Sequence, residues 1–434
     1  MSQYDDIVAR RPCVTLRIFE DLPAIAGLAA PRHIVVAIEG IRVESRPARL
    51  GQMTGISAPV ATSNDSLTDR LLAIRDRIYA SPRFHHWAAR IPLIRTVARA
   101  RAQALFDITA GFVYSQTLAA CARLDLFRKL ARAPMTPSEI ALDSGLPMDA
   151  VERLLEAAIA LRLLSARSRG RIGLGALGAP ILAQEAIVRM VDHNALLYND
   201  LSDPVALLTR STGANSSVGQ FFPYAETPEP ESLSPTTVAA YSELMAQTVA
   251  PIAHEVLTSR VLEGRSCLLD VGGGQGAFLS EVADRYPSLR LRLFDLPAVI
   301  ERASERMRER GHADRFEAFG GDFHLDPLPT GSDVISLVRV LLDHDDRRVV
   351  ALLRRVRAAL PRGGSLIVAE PMTEVTGAKR VGEVYFSFYL RAMGRGRCRS
   401  TRELMSLIRD AGFRRSRLLA TRYPVFASIL VAES

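Results

Sequence analysis

Cysteine is scarce in this sequence, and long apolar runs are missing from it. Among the 434 residues there are four cysteines, which lie far apart and form no CxxC pair: Cys13, Cys121, Cys267 and Cys398. Such spacing argues against a disulfide framework and a cysteine-based metal site, so we expect reduced thiols in a cytoplasmic protein. No run of about 18 uncharged apolar residues occurs, which argues against a membrane span. The opening MSQYDDIVARRP has early acids and no apolar stretch, and does not predict a secretory signal.

The charge balance favours no strongly charged partner. The net charge is +8, with 24% charged and 48% hydrophobic residues. A basic excess can indicate binding to nucleic acid or to an anionic membrane. Here the excess is modest, and the arginines are scattered over predicted helices, so we interpret most of them as solvated helix faces. The length suffices for two domains with hydrophobic cores.

A glycine-rich stretch, LLDVGGGQGA at 268–277, follows an apolar run. Gly272-x-Gly274-x-x-Ala277 matches the loop with which nicotinamide and flavin enzymes bind dinucleotides. Asp270-x-Gly272-x-Gly274-x-Gly276 matches the loop with which class I methyltransferases bind S-adenosylmethionine. Either ligand would lie against the N-terminus of the helix that follows. The loop alone therefore leaves two cofactors open.

Residues 266–434 alternate strand-like and helix-like segments, which predicts an α/β domain with a doubly wound, mostly parallel sheet. The last two strand-like runs, at Arg417–Ala420 and Val425–Val431, are separated only by TRYP. A connection this short predicts an antiparallel hairpin at the end of the sheet. This Rossmann-like arrangement with a terminal hairpin is typical of class I methyltransferases.

Residues 61–180 predict a helical domain with a winged-helix pattern. Thr136, Pro137 and Glu139 form a capping box at the start of one helix, and Gly170 marks the turn of a short hairpin. The intervening helix carries Asp149 and several glutamates, which disfavours contact with phosphates. We therefore expect a dimerisation scaffold that does not bind nucleic acid.

The remaining segments predict three further parts. Residues 1–60 read as an extension that is either disordered or the product of a start assigned too early, with Met53 as the alternative initiator. Residues 67–103 form a basic amphipathic segment around Trp87, which predicts either docking at a membrane interface or packing on a partner subunit or on the body of the protein. Residues 181–265 predict a helical segment that links the domains and contributes to a substrate pocket.

Acidic residues at or after the ends of successive strands distinguish between the two candidate cofactors. Asp295 follows the second strand and can accept hydrogen bonds from ribose hydroxyls in either reading. Asp322 and Phe323 follow the third strand; in methyltransferases an acid at this point accepts from the adenine amino group, and an apolar neighbour covers the ring. Asp270 would repel a pyrophosphate but attract the cationic end of S-adenosylmethionine. The sequence therefore predicts S-adenosylmethionine, with no metal.

The motifs LLDVGGGQG, LFDLPAVI, GGDF, VRVLLDHDD and IVAEPM, behind the winged-helix pattern, resemble those of small-molecule O-methyltransferases of the caffeate and acetylserotonin type, over residues 103–434. Four stretches, including SLVRVLLDHDDRRV and GEVYFSFYLRAMGRGRCRS, are most similar to the bacterial carotenoid hydroxyl methyltransferases. That resemblance implies a homodimer that methylates an acyclic hydroxycarotenoid, such as hydroxyneurosporene or demethylspheroidene. It also implies a cytoplasmic enzyme, peripheral to the inner or photosynthetic membrane in one interpretation.

The resemblance also implies the residues that bind the cofactor. They are Gly272, Gly274, Asp295, Leu296, Asp322 and Phe323, with Arg339 near the carboxyl end of the fourth strand. Asp270 and Gly276 are added to them from the glycine-rich loop itself.

The catalytic positions depart from the family. Plant members place a general-base histidine where this sequence has Leu342, and one of two flanking glutamates where it has Cys398; the other matches Glu370. We expect His344, two residues along, to act as the base, beside Glu370 and Arg339. Catalysis through orientation alone and loss of activity are the alternatives.

The substrate pocket is expected to be aromatic and aliphatic, since an acyclic carotenoid is long and apolar. Its candidates, each of which core packing would also explain, are Tyr114, Tyr198, Met245, Phe386, Tyr389 and Met393. Two other functions stay open: methylation of a bacteriochlorophyll-type tetrapyrrole or an aromatic small molecule, and a winged-helix regulator that senses S-adenosylmethionine.

Overall fold

The computed structural model describes residues 66–209, 216–222 and 243–434. The expectations for residues 1–60, including Met53, and for most of the loop at 211–236 lie outside the described residues. The chain divides into two compact units, Met1–Arg99 and Ala100–Ser434. Within the described residues, no helix is both long enough and apolar enough to cross a membrane.

Three helices come first: α1 (Leu67–Tyr79), α2 (Pro82–Ala88) and α3 (Pro92–Arg123). Helix α1 begins at a capping box, in which Ser66 accepts from the backbone N–H of Asp69 and the Asp69 carboxylate accepts from that of Ser66. None of the residues of α1 is buried.

A small helical region follows, with its own core. It consists of α4 (Leu126–Arg132), α5 (Pro137–Ser144), α6 (Met148–Ala160) and an antiparallel pair, β1 (Leu164–Ala166) and β2 (Ile172–Leu174). The predicted capping box is confirmed, because Thr136 and Glu139 bond each other's backbone N–H groups. The predicted hairpin is also present, and Gly170 adopts a φ of +67° in its turn.

The next segment is helical, as expected. It contains α7 (Glu185–Asp200), α8 (Pro204–Thr209), α9 (Ser217–Phe221), helical residues 243–248 and α10 (Ala250–Thr258). The buried carboxylate of Asp200 accepts from the backbone N–H groups of Ser217, at 2.7 Å, and Val218, at 2.9 Å. That pair of bonds fixes α9 against the end of α7.

The rest of the chain forms a seven-stranded sheet with the order β5-β4-β3-β6-β7-β9-β8. Strands β3 to β7 pair in parallel and β9 pairs antiparallel with both β7 and β8, so the predicted fold class is confirmed. The strands are β3 (Cys267–Val271), β4 (Arg290–Asp295), β5 (Phe316–Gly320), β6 (Val334–Val338), β7 (Ser365–Glu370), β8 (Arg415–Leu419) and β9 (Ser428–Glu433). The helices between them are α11 (Ala277–Arg285), α12 (Pro297–Glu309), α13 (Asp346–Ala359), α14 (Phe386–Met393) and α15 (Thr401–Asp410).

The terminal hairpin has a longer connection than the predicted TRYP turn. Strand β8 ends at Leu419 and β9 begins at Ser428, so residues 420–427 connect them. The buried carboxylate of Glu255 in α10 accepts from the backbone N–H groups of Arg422, at 2.7 Å, and Tyr423, at 3.2 Å. Because the two partners of this contact are far apart in the sequence, no local pattern predicts it.

Each face of the sheet has its own core. Leu268, Leu291 and Val334 pack on one face with buried residues of α10, α11 and α12. Leu269, Ile335 and Leu366 pack on the other with buried residues of α13 and α15. Because strands β3 to β7 run in parallel, their carboxyl ends lie at one edge of the sheet, where a ligand can bind.

Candidate functional site

A cavity of about 650 Å³ opens at the carboxyl ends of the parallel strands. It brings together predicted residues from four strand ends and from the helices that cover them. The predicted residues that line it are Asp270, Gly272, Gly274, Asp295, Leu296, Asp322, Phe323, Arg339, His344, Met245 and Met393.

The glycine loop between β3 and α11 needs glycine for two different reasons. Gly272 and Gly274 have φ values of +71° and +60°, which favour glycine. Gly273 has no such φ, but a β-carbon there would lie 2.2 Å from Asp270 Oδ2 and 2.5 Å from Leu293 Cδ1. The sequence analysis did not single out Gly273, although the run of three glycines pointed to it. Gly276 does not line the cavity; it precedes α11 and faces Ala303.

Asp270 is a fully buried carboxyl group in the cavity wall. Its Oδ1 accepts from the Ser336 hydroxyl at 2.6 Å, whereas no group of the described residues bonds its Oδ2. Burial raises its pKa to about 7; the Ser336 hydrogen bond opposes this shift and the nearby Asp295 adds to it. An acid that is held here at the edge of ionisation favours a cationic ligand group.

Asp295 ends β4 and is fixed by the backbone. Its Oδ2 accepts from the Gly274 N–H and its Oδ1 from the Leu296 N–H, both at 2.7 Å. Burial raises its pKa, and these two bonds oppose the shift. A carboxylate oxygen has two lone pairs, so each oxygen can accept one more hydrogen bond from a ligand hydroxyl.

Rings cluster where β5 ends. Phe323 and His324 contact each other with ring centroids 4.6 Å apart, and His344 contacts both, at 5.6 Å and 4.7 Å. His344 is 9% exposed. Burial, followed by the charge of His324 and several arginines, lowers the pKa of His344 well below its usual value. Its imidazole is therefore neutral at pH 7. Asp322, beside these rings, accepts from the His324 N–H at 2.7 Å.

Arg339 connects the end of β6 to the helical residues before α10. Its φ is +56°, and its guanidinium donates to the Met245 carbonyl at 2.7 Å and to the Thr248 hydroxyl at 2.8 Å. This predicted residue therefore lies in the cavity wall and also holds Met245 there.

The loop after β6 is held by Arg399, which the sequence analysis missed. Arg399 is fully buried, and its guanidinium donates to the carbonyls of Leu341, at 2.8 Å, and His344, at 2.6 Å. It also bonds the Asp346 carboxylate at 2.8 Å. No sequence pattern separates it from the other arginines of GRGRCRS. Asp343 in the same loop also lines the cavity and was not predicted as a site residue.

Glu370 ends β7 but is not among the described residues that line the cavity. It is fully buried, and its Oε2 accepts from the Leu342 N–H at 3.1 Å. Burial raises its pKa to about 8. Leu342 packs in an apolar cluster with Phe222, Tyr389 and Met393, and Cys398 packs against the same cluster.

The other predicted pocket residues lie outside the described cavity lining. Tyr389 bonds His193 Nε2 at 2.6 Å, and Phe386 stacks edge-on against Tyr389 with centroids 6.2 Å apart. Tyr198 bonds the Ser115 hydroxyl, and Tyr114 reaches Asp107 at 3.5 Å. Phe386 and Tyr389 belong to an aromatic layer that meets the cavity through Phe222 and Met393, whereas Tyr114 and Tyr198 do not belong to it.

The cavity residues fit S-adenosylmethionine. Asp295 retains acceptor capacity for ribose hydroxyls, Asp322 and Phe323 are suited to an adenine, and Asp270 has an unbonded buried oxygen for the cationic end. A dinucleotide fits less well, because a pyrophosphate would meet Asp270.

Comparisons with known proteins agree with this geometry. Residues 198–414 match the model of an O-methyltransferase domain, and residues 106–177 match an O-methyltransferase dimerisation domain. The chain is 42% identical to demethylspheroidene O-methyltransferase of Cereibacter sphaeroides, over 82% of this chain and 93% of that protein.

Two solved structures are also similar. Human N-acetylserotonin methyltransferase in complex with SAM has a TM-score of 0.64 at 24% identity, covering 77% of this chain and 97% of that one. CalO1, a methyltransferase of calicheamicin biosynthesis in an SAH-bound form, has a TM-score of 0.63 at 26% identity, covering 77% and 98%.

Proposed function

This chain belongs to the family of S-adenosylmethionine-dependent O-methyltransferases, and from that premise we propose that it methylates a hydroxyl group of an acyclic hydroxycarotenoid. When bound, S-adenosylmethionine supplies an electrophilic methyl group, and the products of transfer are a methyl ether and S-adenosylhomocysteine. The proposed boundaries are 61–180 for the dimerisation region, 181–265 for the segment at the acceptor and 266–434 for the donor-binding domain.

On the donor side, the proposed roles follow from the hydrogen bonds that remain open. Asp295 holds the ribose hydroxyls, Asp322 accepts from the adenine amino group, and Leu296 and Phe323 cover the base. Asp270 faces the cationic end. Gly272 and Gly274 allow the backbone to approach the ligand, and Gly276 lets α11 start beside it. These assignments are supported by the cavity lining and by the fixed geometry of the two carboxylates.

The observation that carries the proposed acceptor class is the apolar side of the cavity. Phe222, Met245, Val249 and Met393 line it, and the aromatic layer around Tyr389 continues from it. A long polyene would gain burial of its apolar surface there, while a single hydroxyl would lie near the few polar groups. The name of the bacterial relative, a demethylspheroidene O-methyltransferase, supports the same class.

Homodimerisation is proposed through the region that matches the dimerisation domain. Phe106, Ile108 and Phe112 on α3 are 60%, 79% and 65% exposed in the single chain. Large apolar side chains that are exposed on a helix of the single chain are typical of a protein interface. Analytical ultracentrifugation tests this: the wild-type protein is expected to sediment as a dimer and Phe112→Asp as a monomer. A wild-type monomer would contradict the proposal.

Peripheral docking of the enzyme at a membrane surface is proposed for residues 66–99. They contain seven arginines and two aspartates, a net charge of +5 within a chain of net charge +8. Leu67, Leu71, Ile74 and Ile78 form one exposed face of α1, and Trp87 is 52% exposed. Basic residues beside exposed apolar ones favour an anionic bilayer. Cosedimentation with anionic vesicles, but not with neutral ones, is the expected result, and Arg75→Glu with Arg77→Glu is expected to weaken it.

Incubation of the purified full chain with labelled S-adenosylmethionine and a 1-hydroxy acyclic carotenoid in detergent tests the proposed reaction. Chromatography and mass spectrometry are expected to detect a labelled methyl ether. The parent carotene without the hydroxyl is the control and is expected to remain unlabelled. Transfer only to aromatic or tetrapyrrole acceptors, with cofactor binding confirmed by calorimetry, would contradict the carotenoid proposal.

A further inference from the structure

Three aspartates follow β6, and two of them have structural roles. Asp345 caps α13, since its carboxylate accepts from the Arg348 N–H at 2.9 Å. Asp346 pairs with Arg397, at 2.9 Å, and with Arg399, at 2.8 Å. Asp343 does neither. Among the described residues, no side chain or backbone group hydrogen-bonds its carboxylate, and it lines the cavity.

Asp343 has both apolar and charged neighbours. Its neighbour Leu342 packs with Phe222 and Met393, which line the same cavity. The charged groups that act on it are Arg339, which follows β6, and Arg395, which follows α14. Glu370 at the end of β7 is the nearby acid whose pKa the charge of Asp343 raises. Asp343 is partly exposed and lines the cavity, so its carboxylate can accept a hydrogen bond from the hydroxyl of a bound acceptor.

We propose that Asp343 is the proton acceptor of the methyl transfer, in a chain where Leu342 stands at the family's histidine position. This inference rests on the proposed O-methylation. The acceptor oxygen forms its bond to the methyl carbon as the bond between that carbon and sulfur breaks. The hydroxyl proton passes to an oxygen of Asp343, and exchange with water afterwards restores the carboxylate.

The electrostatics suit this role. Burial raises the pKa of Asp343 to about 7, and the positive charges of Arg395 and Arg339 oppose the shift. A general base is most effective when its pKa lies near the working pH, because it is then both ionised and sufficiently basic. Asp343 is half ionised near neutral pH, and its ionised fraction rises as the pH increases.

His344, the base expected from the sequence, has different surroundings. Its ring contacts Phe323 and His324, on the side proposed for the adenine. Its pKa is lowered well below 6.5. The two residues therefore predict different pH profiles: a rise in kcat through about 7 for Asp343, and a rise that is complete at lower pH for His344.

The experiment measures kcat, KM and cofactor Kd from pH 5.5 to 9 for the wild-type protein and four variants. Asp343→Asn removes the base with little change in shape. Asp343→Glu is the conservative variant. Asp345→Asn is the matched control, because asparagine also caps helices. His344→Gln tests the competing residue. Calorimetry with S-adenosylhomocysteine, which needs no acceptor, reports whether each variant is folded.

We expect kcat to fall about 10²–10⁴-fold in Asp343→Asn and the rising limb of its pH profile near pH 7 to disappear, while the cofactor Kd stays within about threefold of the wild-type value. Asp343→Glu is expected to retain the limb, and Asp345→Asn the wild-type profile. An unchanged kcat in Asp343→Asn, or loss of the limb in His344→Gln alone, would overturn the role of Asp343 while O-methylation stands. A wild-type protein that methylates other hydroxyl compounds but no carotenoid would overturn the substrate only, and the same variants assayed on those compounds then decide on Asp343. Transfer to no hydroxyl acceptor at all would overturn both.

Discussion

Gly273 and Asp270 approach each other so closely that a β-carbon at position 273 would lie 2.2 Å from Asp270 Oδ2. Neither side chain that surrounds this position can move away without disturbing its own contacts. Asp270 is fully buried, and its other oxygen is bonded to Ser336. Leu293 Cδ1 lies 2.5 Å from the same hypothetical atom on another side. The position of the Asp270 carboxylate in the cavity wall therefore depends on the absence of a side chain at residue 273.

Gly273→Ala is expected to displace either the loop or Asp270, and so to weaken cofactor binding. A misplaced carboxylate loses a charge-assisted contact, which typically contributes about 1.5–3 kcal/mol, or roughly 10–100-fold in Kd. Isothermal titration calorimetry with S-adenosylhomocysteine measures it. Gly111→Ala is the control, since a β-carbon at Gly111 would meet nothing within 4 Å. Equal affinity of Gly273→Ala and wild type would show that the loop adapts freely.

Arg399→Lys is expected to lower kcat by about 10-fold or more while it changes the cofactor Kd little. A lysine cannot replace the three-way bonding of the guanidinium to Leu341, His344 and Asp346, so the loop that carries Asp343 would lose its fixed position. Initial rates at saturating substrate measure the effect, and urea denaturation measures the accompanying loss of stability.

The control for that prediction is Arg397→Ala. Arg397 also pairs with Asp346, but it is exposed, and exposed ion pairs contribute at most about 1 kcal/mol. If Arg397→Ala reduced kcat as much as Arg399→Lys, the charge near Asp346 would matter more than the bonds to the two carbonyls.

The sequence predicted the sheet well because its strands are local signals. Cys267–Val271 and Val334–Val338 are mostly apolar segments followed by glycine and arginine, and they belong to the alternation of strand-like and helix-like segments that predicted the sheet. The acids and glycines of the donor site were predictable for the same reason, since each lies at or shortly after the end of a strand.

What the sequence did not predict arises from contacts between distant segments. Glu255 accepts hydrogen bonds from residues 422 and 423 in the connection of the final hairpin. Arg399 bonds a loop that lies more than fifty residues before it in the sequence. The choice between Asp343 and His344 is of the same kind. Both follow β6, and only the packing of Phe323, His324 and Leu342 separates their surroundings.

Glu370→Gln is expected to flatten the dependence of stability on pH. The folded-state pKa of Glu370, about 8, lies above that of an exposed glutamate, so the folded protein retains a proton that the unfolded chain releases. The contribution of Glu370 to the free energy of unfolding is therefore fully present below about pH 4.5. It is lost as the pH rises from there through about 8. Glutamine resembles the protonated form and carries no such dependence.

Urea midpoints at pH 5.5, 7 and 8.5 measure this difference. The variant is expected to exceed the wild type slightly at pH 5.5 and by more at pH 8.5, because the wild-type stability already begins to fall above about pH 4.5. A smaller slope remains, because the pKa values of Asp270 and Asp343 are also raised, to about 7. The exposed Glu374, changed to glutamine, is the matched control for the loss of one carboxyl group. Parallel pH profiles for Glu370→Gln and wild type would mean that Glu370 is ionised in the folded protein.

Leu342→His is expected to destabilise the protein by about 2–5 kcal/mol instead of restoring the family's base. Leu342 is 4% exposed and packs against Phe222, Tyr389 and Met393, where an imidazole would lose packing and bury polar atoms. Leu342→Met is the control and is expected to cost less than about 1.5 kcal/mol, since it conserves volume.

The double variant Leu342→His, Cys398→Glu is expected to be less destabilised than the sum of the two single variants. The segments are adjacent, because the Arg397 N–H donates to the Leu342 carbonyl at 2.9 Å and Cys398 packs in the same cluster. An introduced glutamate could therefore bond the introduced imidazole, and such neighbouring pairs couple by about 0.5–3 kcal/mol. Urea denaturation of the four proteins in this cycle measures the coupling. Strict additivity would mean that the introduced imidazole and carboxylate do not interact, which would contradict this prediction.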